Sequence, residues 1–166
     1  MSGVMKMVYF PKIKLQEMLL RPGGIARDEA IHTAIENLRA ESGESNKVIE
    51  DAIAAIAGIA AGAKANMLPQ ADMKAIMEQA DQIVTVAGTF GYEYLDRAAR
   101  GLCDITDGLI RTGCGDAAPI HVHVMALRLF SPMAAAPSVA EAEKVLSELA
   151  SVKAFYGFTP IDAQVN

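Results

Sequence analysis

Aromatic residues are scarce in this 166-residue chain. They make up 5% of it and tryptophan is absent, although 52% of the residues are hydrophobic. The apolar content is therefore carried by alanine, isoleucine, leucine, valine and methionine, a mixture that favours closely packed helices over a β-sandwich. The length allows one domain with a real core, and we do not expect a second full domain.

Clustered positive charge is also missing. The formal net charge is −5 and the sequence contains no run of lysine or arginine, so we do not expect nucleic acid as a partner. No stretch reaches the roughly 18 uninterrupted apolar residues that a membrane-spanning helix requires. The start, MSGVMKMVYFPK, does not resemble a signal peptide. We therefore expect a cytoplasmic protein without a membrane partner.

Cysteine and the common catalytic motifs are nearly or fully absent. Cys103 and Cys114 form no CxxC pair and have no histidine cluster beside them, so we interpret both as free thiols. The motifs GxSxG, GxGxxG and HExxH do not occur. These absences predict a protein that is not an enzyme and that carries no cofactor or metal.

The chain does contain strong helical periodicity. Apolar residues recur at three- and four-residue steps along several segments, which predicts an all-α fold. The first such segment runs from Ile25 to about Gly62, and the polar stretch from Glu41 to Ser45 leaves open whether this helix is continuous or split. Its apolar stripe consists of Ile31, Ile35, Leu38, Ile49, Ile53, Ile56 and Ala60.

Two further helices follow with almost no loop between them. One begins near Pro69 and ends at Gly91, and the next starts at once and ends at Gly113 and Gly115. Such a short connection predicts an antiparallel hairpin. The stripe of the first is Met73, Ile76, Met77, Ala80, Ile83, Val84, Ala87 and Phe90, and that of the second is Leu95, Ala98, Ala99, Leu102, Ile105 and Leu109.

The segment APIHVHVMALRLF alternates like a strand, but the chain contains no partner strand of similar character. A buried helix beginning at Pro119 is therefore favoured. On a strand, His121 and His123 would share one side and could bind one metal ion. On a helix they point about 200° apart and could not. A metal-binding module that uses these two histidines stays an alternative.

One more helix is expected near the end of the chain. Ser138 and Glu141 have the spacing of a capping box, which opens a helix that reaches about Val152. Its buried residues are predicted to be Val145, Leu146 and Leu149. The residues from Gly157 onward show no regular pattern.

The stretch ADQIVTVAGTFG resembles the signature helix of the histidine phosphotransfer (Hpt) domain family. The family pattern is approximately A-H-x-L-K-G-x-A-x-x-[FL]-G, and the chain matches it at Ala80, Ile83, Ala87, Phe90 and Gly91. The following AARGLC is similar to the family's next helix. The RPGG near the start, with the GTFGY-to-LC segment, also resembles small proteins encoded beside bacterial chemotaxis genes.

This resemblance implies an antiparallel four-helix bundle of Hpt type, with a long first helix and an extra C-terminal helix. The chain then divides into an N-terminal docking segment over residues 1–24, an Hpt-like bundle over residues 25–131, and a linker, additional helix and irregular tail over residues 132–166.

The departures from the family pattern fall on the reacting positions. The family's phosphoryl-accepting histidine, its supporting lysine and the glycine that gives clearance correspond here to Asp81, Val84 and Thr85. An aspartate on a bare helix lacks the acids and metal that support an acyl phosphate, and it would repel the acidic pocket of a phosphorylated receiver domain. The resemblance therefore implies a protein that binds without transferring phosphate.

The expected partner is the receiver domain of a response regulator, or a histidine kinase, in a two-component or chemotaxis pathway. We predict the contact surface on the outward side of the second helix, where polar residues recur at helical spacing. These residues are Lys74, Glu78, Asp81, Gln82 and Thr85.

Besides the metal-binding module, two further alternatives stay open. In the first, His121 or His123 accepts a phosphoryl group. In the second, the protein is structural and forms oligomers, such as a homodimer, through its long first helix and its last helix.

Overall fold

The computed structural model describes residues 26–158, apart from the side chains of residues 38–40. Within this range the chain forms five α-helices and no β-strand. They are α1 (Arg27–Ala61), α2 (Gln70–Phe90), α3 (Glu93–Thr112), α4 (Ala118–Leu129) and α5 (Val139–Phe155). The predicted all-α fold is confirmed, and the segment with the two histidines is a helix. The predicted docking segment over residues 1–24 and the tail beyond residue 158 lie outside the described residues.

Helix α1 is continuous through the polar stretch between Glu41 and Ser45. Of the two possibilities that the sequence left open, a continuous helix and a split one, the structure has the continuous helix. The chain divides into two compact units, and the first ends at Asn37. In that unit α1 exposes 46% of Ile31 and 44% of Ile35, so these two residues of the predicted apolar stripe are not core residues. Periodicity marks a face that could be buried, but burial also needs another element to cover that face.

The part of α1 in the second unit contributes to the core. Four of its buried residues were predicted from the spacing, and Ala52 is an addition to them. Among the side chains that the structure describes there, the buried ones are Ile49, Ala52, Ile53, Ile56 and Ala60.

Helices α2 and α3 pack against each other and are joined only by Gly91 and Tyr92. Gly91 ends α2 in the left-handed conformation, with φ of 76°, which glycine adopts without steric cost. All six residues of the predicted α3 stripe are buried. In the α2 stripe the central residues are buried, whereas Met77, Val84 and Phe90 are half-buried at its edges.

Helix α3 is central to the second unit, because α2, α4 and α5 all pack against it. The predicted capping box of α5 is present: the Ser138 hydroxyl accepts a hydrogen bond from the Glu141 amide, and the Glu141 carboxylate accepts one from the Ser138 amide. Leu146 and Leu149 are buried as predicted, whereas Val145 is half-buried. None of the helices among residues 26–158 is long and apolar enough to cross a membrane.

Candidate functional site

The five residues predicted to contact a partner are all exposed on α2. They occur at three- and four-residue steps, so they share one side of the helix. Ile83 and Ala87, on the other side, are fully buried in the core. We call this surface the α2 face, and it consists of Lys74, Glu78, Asp81, Gln82 and Thr85.

Asp81 lies near the middle of the α2 face. Thr85 donates its hydroxyl hydrogen to the Asp81 carbonyl oxygen at 3.0 Å, and Thr89 repeats this bond to the Thr85 carbonyl at 2.9 Å. Both bonds are local to the helix backbone. Among the described residues, none forms a hydrogen bond or an ion pair with the Asp81 carboxylate. This charge is therefore available to a partner.

Cys103 of α3 lies close enough to Asp81 for the carboxylate to act on its thiol. The pKa of Cys103 is raised to about 11, mainly by burial and to a smaller extent by the negative charges of Asp81 and Asp104. A thiol with this pKa is protonated at neutral pH and is a poor nucleophile. Cys103 and Cys114 are both free, as predicted, and Cys103 borders the α2 face without supplying chemistry to it.

The basic groups of α3 are engaged with carboxylates. Arg97 forms a bidentate pair with Glu143 of α5, at 2.6 and 3.2 Å, which lowers the pKa of Glu143. Arg100 pairs with Asp96 at 2.9 Å within α3. Because these pairs lie at the surface, each stabilises the fold little. The α2 face itself carries two acids and one lysine, so it is weakly acidic.

The structure separates the two histidines that the sequence brought together. His121 is exposed, whereas His123 is fully buried. The His123 Nδ1–H donates to the Pro119 carbonyl oxygen at 2.8 Å, which leaves Nε2 as the nitrogen without a proton. The two rings do not converge on one ion. Among residues 26–158 there is also no cluster of three or more His, Cys, Asp or Glu residues that could hold a metal.

Burial also fixes the charge state of His123. Desolvation lowers its pKa below the ordinary value, so the imidazole is neutral at neutral pH. Nε2 is buried and has no hydrogen-bond partner among the described residues. It lies against Gly101 of α3, where an added Cβ would be 3.2 Å away. His123 is therefore a packed core residue.

Sequence reasoning missed a cleft beside the short link between α2 and α3. It has a volume of about 480 Å³ and is lined by Tyr92, Tyr94 and Phe130, together with residues of the segment between α4 and α5. The ring centroids of Tyr94 and Phe130 are 5.9 Å apart. We call it the aromatic cleft. In a chain with so few aromatic residues, the closely spaced Tyr92 and Tyr94 were the available signal.

Comparisons with known proteins identify no relative: no protein-family model, curated protein or solved structure matches this chain. A functional hypothesis must therefore come from the side chains themselves. The α2 face and the aromatic cleft are two surfaces of the described residues on which such a hypothesis can rest.

Proposed function

We propose that this protein is a non-catalytic, Hpt-like docking protein of a two-component or chemotaxis pathway, acting in the cytoplasm. In this proposal α1 to α4 form an antiparallel four-helix bundle of Hpt type, and α5 is the additional helix. The partner is the receiver domain of a response regulator, or a histidine kinase, and it binds the α2 face.

One observation carries the proposal. Of the α2 residues that match the Hpt pattern, Ala80, Ile83 and Ala87 are fully buried, and Phe90 is half-buried. Asp81, at the position of the family's reacting histidine, is exposed and free of side-chain partners among the described residues. The helix thus combines the packing half of the motif with an exposed face that lacks the reacting imidazole.

The chemistry of the α2 face suits binding more than phosphate transfer. Val84, at the position of the supporting lysine, is half-buried and uncharged. Thr85, at the clearance position, is held by its bond to the Asp81 carbonyl. The two acids of the face favour a region of the partner surface that carries a compensating lysine or arginine, and not the acidic pocket of a receiver domain.

The test is calorimetric titration of the full-length protein with each receiver domain and histidine kinase from its own organism. We expect saturable binding to at least one of them, and Asp81→Arg should weaken it about tenfold or more by reversing a central interface charge. Glu148→Arg is the matched control, because Glu148 is exposed on α5 and outside the α2 face. No binding at concentrations on the order of tens of micromolar would overturn the proposal.

The same samples test the alternative of phosphotransfer through a histidine. Of the two candidate histidines, His121 is exposed and His123 is buried, so His121 is the one that a partner could reach. After incubation with a phosphorylated receiver domain we expect no label on this protein. A label that survives Asp81→Arg but is lost in His121→Ala would replace the docking proposal with phosphotransfer.

A second candidate function, self-association, is favoured by the outer surface of α4. Val122, Met125 and Leu129 expose 41%, 72% and 38% of their surface and recur at helical spacing. Adjacent exposed apolar side chains of this kind mark protein interfaces. Light scattering should then give a dimer that Met125→Glu dissociates, whereas a monomer at all concentrations would remove this candidate.

A further inference from the structure

We propose that the aromatic cleft is a binding site for a small organic cation with an apolar body. The cleft uses none of the residues of the α2 face, so this second site is independent of the docking function. Three properties of the cleft lead to this ligand class: its rings, its charge and its size.

The rings are concentrated and held in place. Three of the nine tyrosine and phenylalanine residues of the chain line this one cleft. The Tyr92 hydroxyl donates to Asn46 Oδ1 of α1 at 2.7 Å, which fixes that ring. Phe130 is buried, and its ring is tilted by 33° to that of Tyr94. The faces of such rings carry negative potential and attract cations.

The described lining of the cleft carries charge of one sign. Glu93 is the one charged side chain among the described residues that line it, and none of them is a lysine or arginine. Ser131, which also lines the cleft and is 8% exposed, donates its hydroxyl hydrogen to the carboxylate of Glu50. The Glu50 carboxylate, a second negative charge, therefore lies behind Ser131, within hydrogen-bond distance of a residue that lines the cleft. An organic anion would be repelled, whereas a cation gains from both the carboxylates and the rings.

The size fits a compact ligand. About 480 Å³ is within the range of roughly 300–1,000 Å³ that is typical of small-molecule sites. Much of the wall is apolar, from Leu95, Leu129 and Pro137, and would contact the body of the ligand. The class is therefore an aryl- or alkylammonium compound, with the ammonium group at the rings and the apolar part along this wall.

The experiment uses benzyltrimethylammonium as the probe and the full-length protein. Ligand-detected nuclear magnetic resonance, followed by calorimetry, should show saturable binding of this cation. Benzyl alcohol, which is neutral, should bind more weakly, and benzenesulfonate, which is an anion, should not bind. Equal binding of the cation and the alcohol would overturn the assignment of a cation, and the absence of binding by all three would overturn the site.

Variants locate the binding. Phe130→Leu and Tyr94→Leu should each lower the affinity for the cation by about threefold to thirtyfold, the range of a single cation–π contact. The matched control is Phe155→Leu, because Phe155 is an aromatic residue of α5 that is 85% exposed and does not line the cleft.

A second kind of variant keeps the test decisive if a leucine variant fails to fold. Ala136→Trp adds bulk at an exposed position on the cleft wall and removes no core group, so it should abolish binding. Unchanged binding in Ala136→Trp would overturn the location. Asp81→Arg should leave cation binding intact, so a failed docking proposal and a failed cation site give different results.

Discussion

At the scale of single residues, His123 is a buried polar group whose ring is held on both sides. It is fully buried, its Nδ1–H is used by the Pro119 carbonyl, and Gly101 provides the space for its other edge. Burial is the main cause of its lowered pKa and Lys153 lowers the pKa further, whereas the bond to the Pro119 carbonyl and the charge of Asp104 act in the opposite direction. A histidine in this state favours folding when it is neutral and opposes folding when it must be protonated.

We predict a histidine-dependent loss of stability below pH 6.5, the ordinary pKa of the imidazole. As the pH falls, the unfolded chain binds a proton that folded His123 does not, so the free energy of unfolding decreases by up to about 1.4 kcal/mol per pH unit until the folded pKa is reached. Denaturant unfolding at a series of pH values measures this slope.

His123→Leu should flatten the pH profile below pH 6.5, whatever its effect on stability at neutral pH. His121→Leu is the matched control, because His121 is exposed two residues away on the same helix. If both variants keep the wild-type slope, the carboxylates and not His123 cause the acid sensitivity.

At the scale of elements, the start of α5 depends on one side chain. Ser138 exchanges hydrogen bonds with Glu141, and these bonds satisfy amide groups that the first turn of a helix leaves without partners. The pKa of Glu141 is lowered mainly by its bond from the Ser138 hydroxyl. The cap fixes where the segment between α4 and α5 stops and α5 begins.

We predict that Ser138→Ala lowers the free energy of unfolding by about 1 kcal/mol, the usual effect of losing an N-cap. Thermal and denaturant unfolding measure this change. Ser147→Ala is the control within the same helix. Ser147 is a solvent-exposed residue in the middle of α5, where alanine is the better helix former. Equal destabilisation by the two changes would mean that the cap does not stabilise α5.

The elements also show what periodicity can predict. The α3 stripe was predicted in full because a helix with neighbours on several sides must bury a continuous apolar face. The same spacing in α1 was misleading at Ile31 and Ile35, because one-dimensional spacing does not specify which element covers a helix. Local chemistry was more reliable: the Ser138 cap and the end of α2 at Gly91 are both present.

The two candidate sites also differ in how far the sequence could predict them. The α2 face could be predicted because its residues lie on one helix, so spacing alone brings them to one side. The aromatic cleft could not, because Tyr92 and Phe130 come from segments far apart in the sequence and are brought together by the packing of α3 with α4.

At the scale of the whole molecule, the Asp116 carboxylate joins segments that are distant along the chain. Its Oδ1 accepts hydrogen bonds from the Asn66 side chain at 2.8 Å and from the Ala118 amide at 2.9 Å. Its Oδ2 accepts a bond from the Tyr156 hydroxyl, which follows the end of α5. One carboxylate thus connects the loop before α2, the start of α4 and the end of α5.

We predict that the bond between Tyr156 and Asp116 makes the protein sensitive to alkali. The bond raises the pKa of Tyr156 to about 12, with a smaller contribution from burial. Because the folded pKa is above the unfolded value of 10, the stabilisation is fully present below pH 10. It is lost as the pH rises from 10 toward 12, since the phenolate cannot donate the bond and is repelled by the carboxylate.

Tyr156→Phe should therefore lower the free energy of unfolding by on the order of 1 kcal/mol at neutral pH, reduced from the full value of a charged hydrogen bond because the pair is partly solvated. The difference from wild type should shrink above pH 10. Tyr94→Phe is the matched control, since it removes a tyrosine hydroxyl that does not contact Asp116. A difference that stays constant between neutral pH and pH 12 would contradict the predicted sensitivity to alkali. No difference at neutral pH would show that Tyr156 stabilises the end of α5 through the packing of its ring, which lies 5.9 Å from that of Phe158 and is kept in Tyr156→Phe, and not through Asp116.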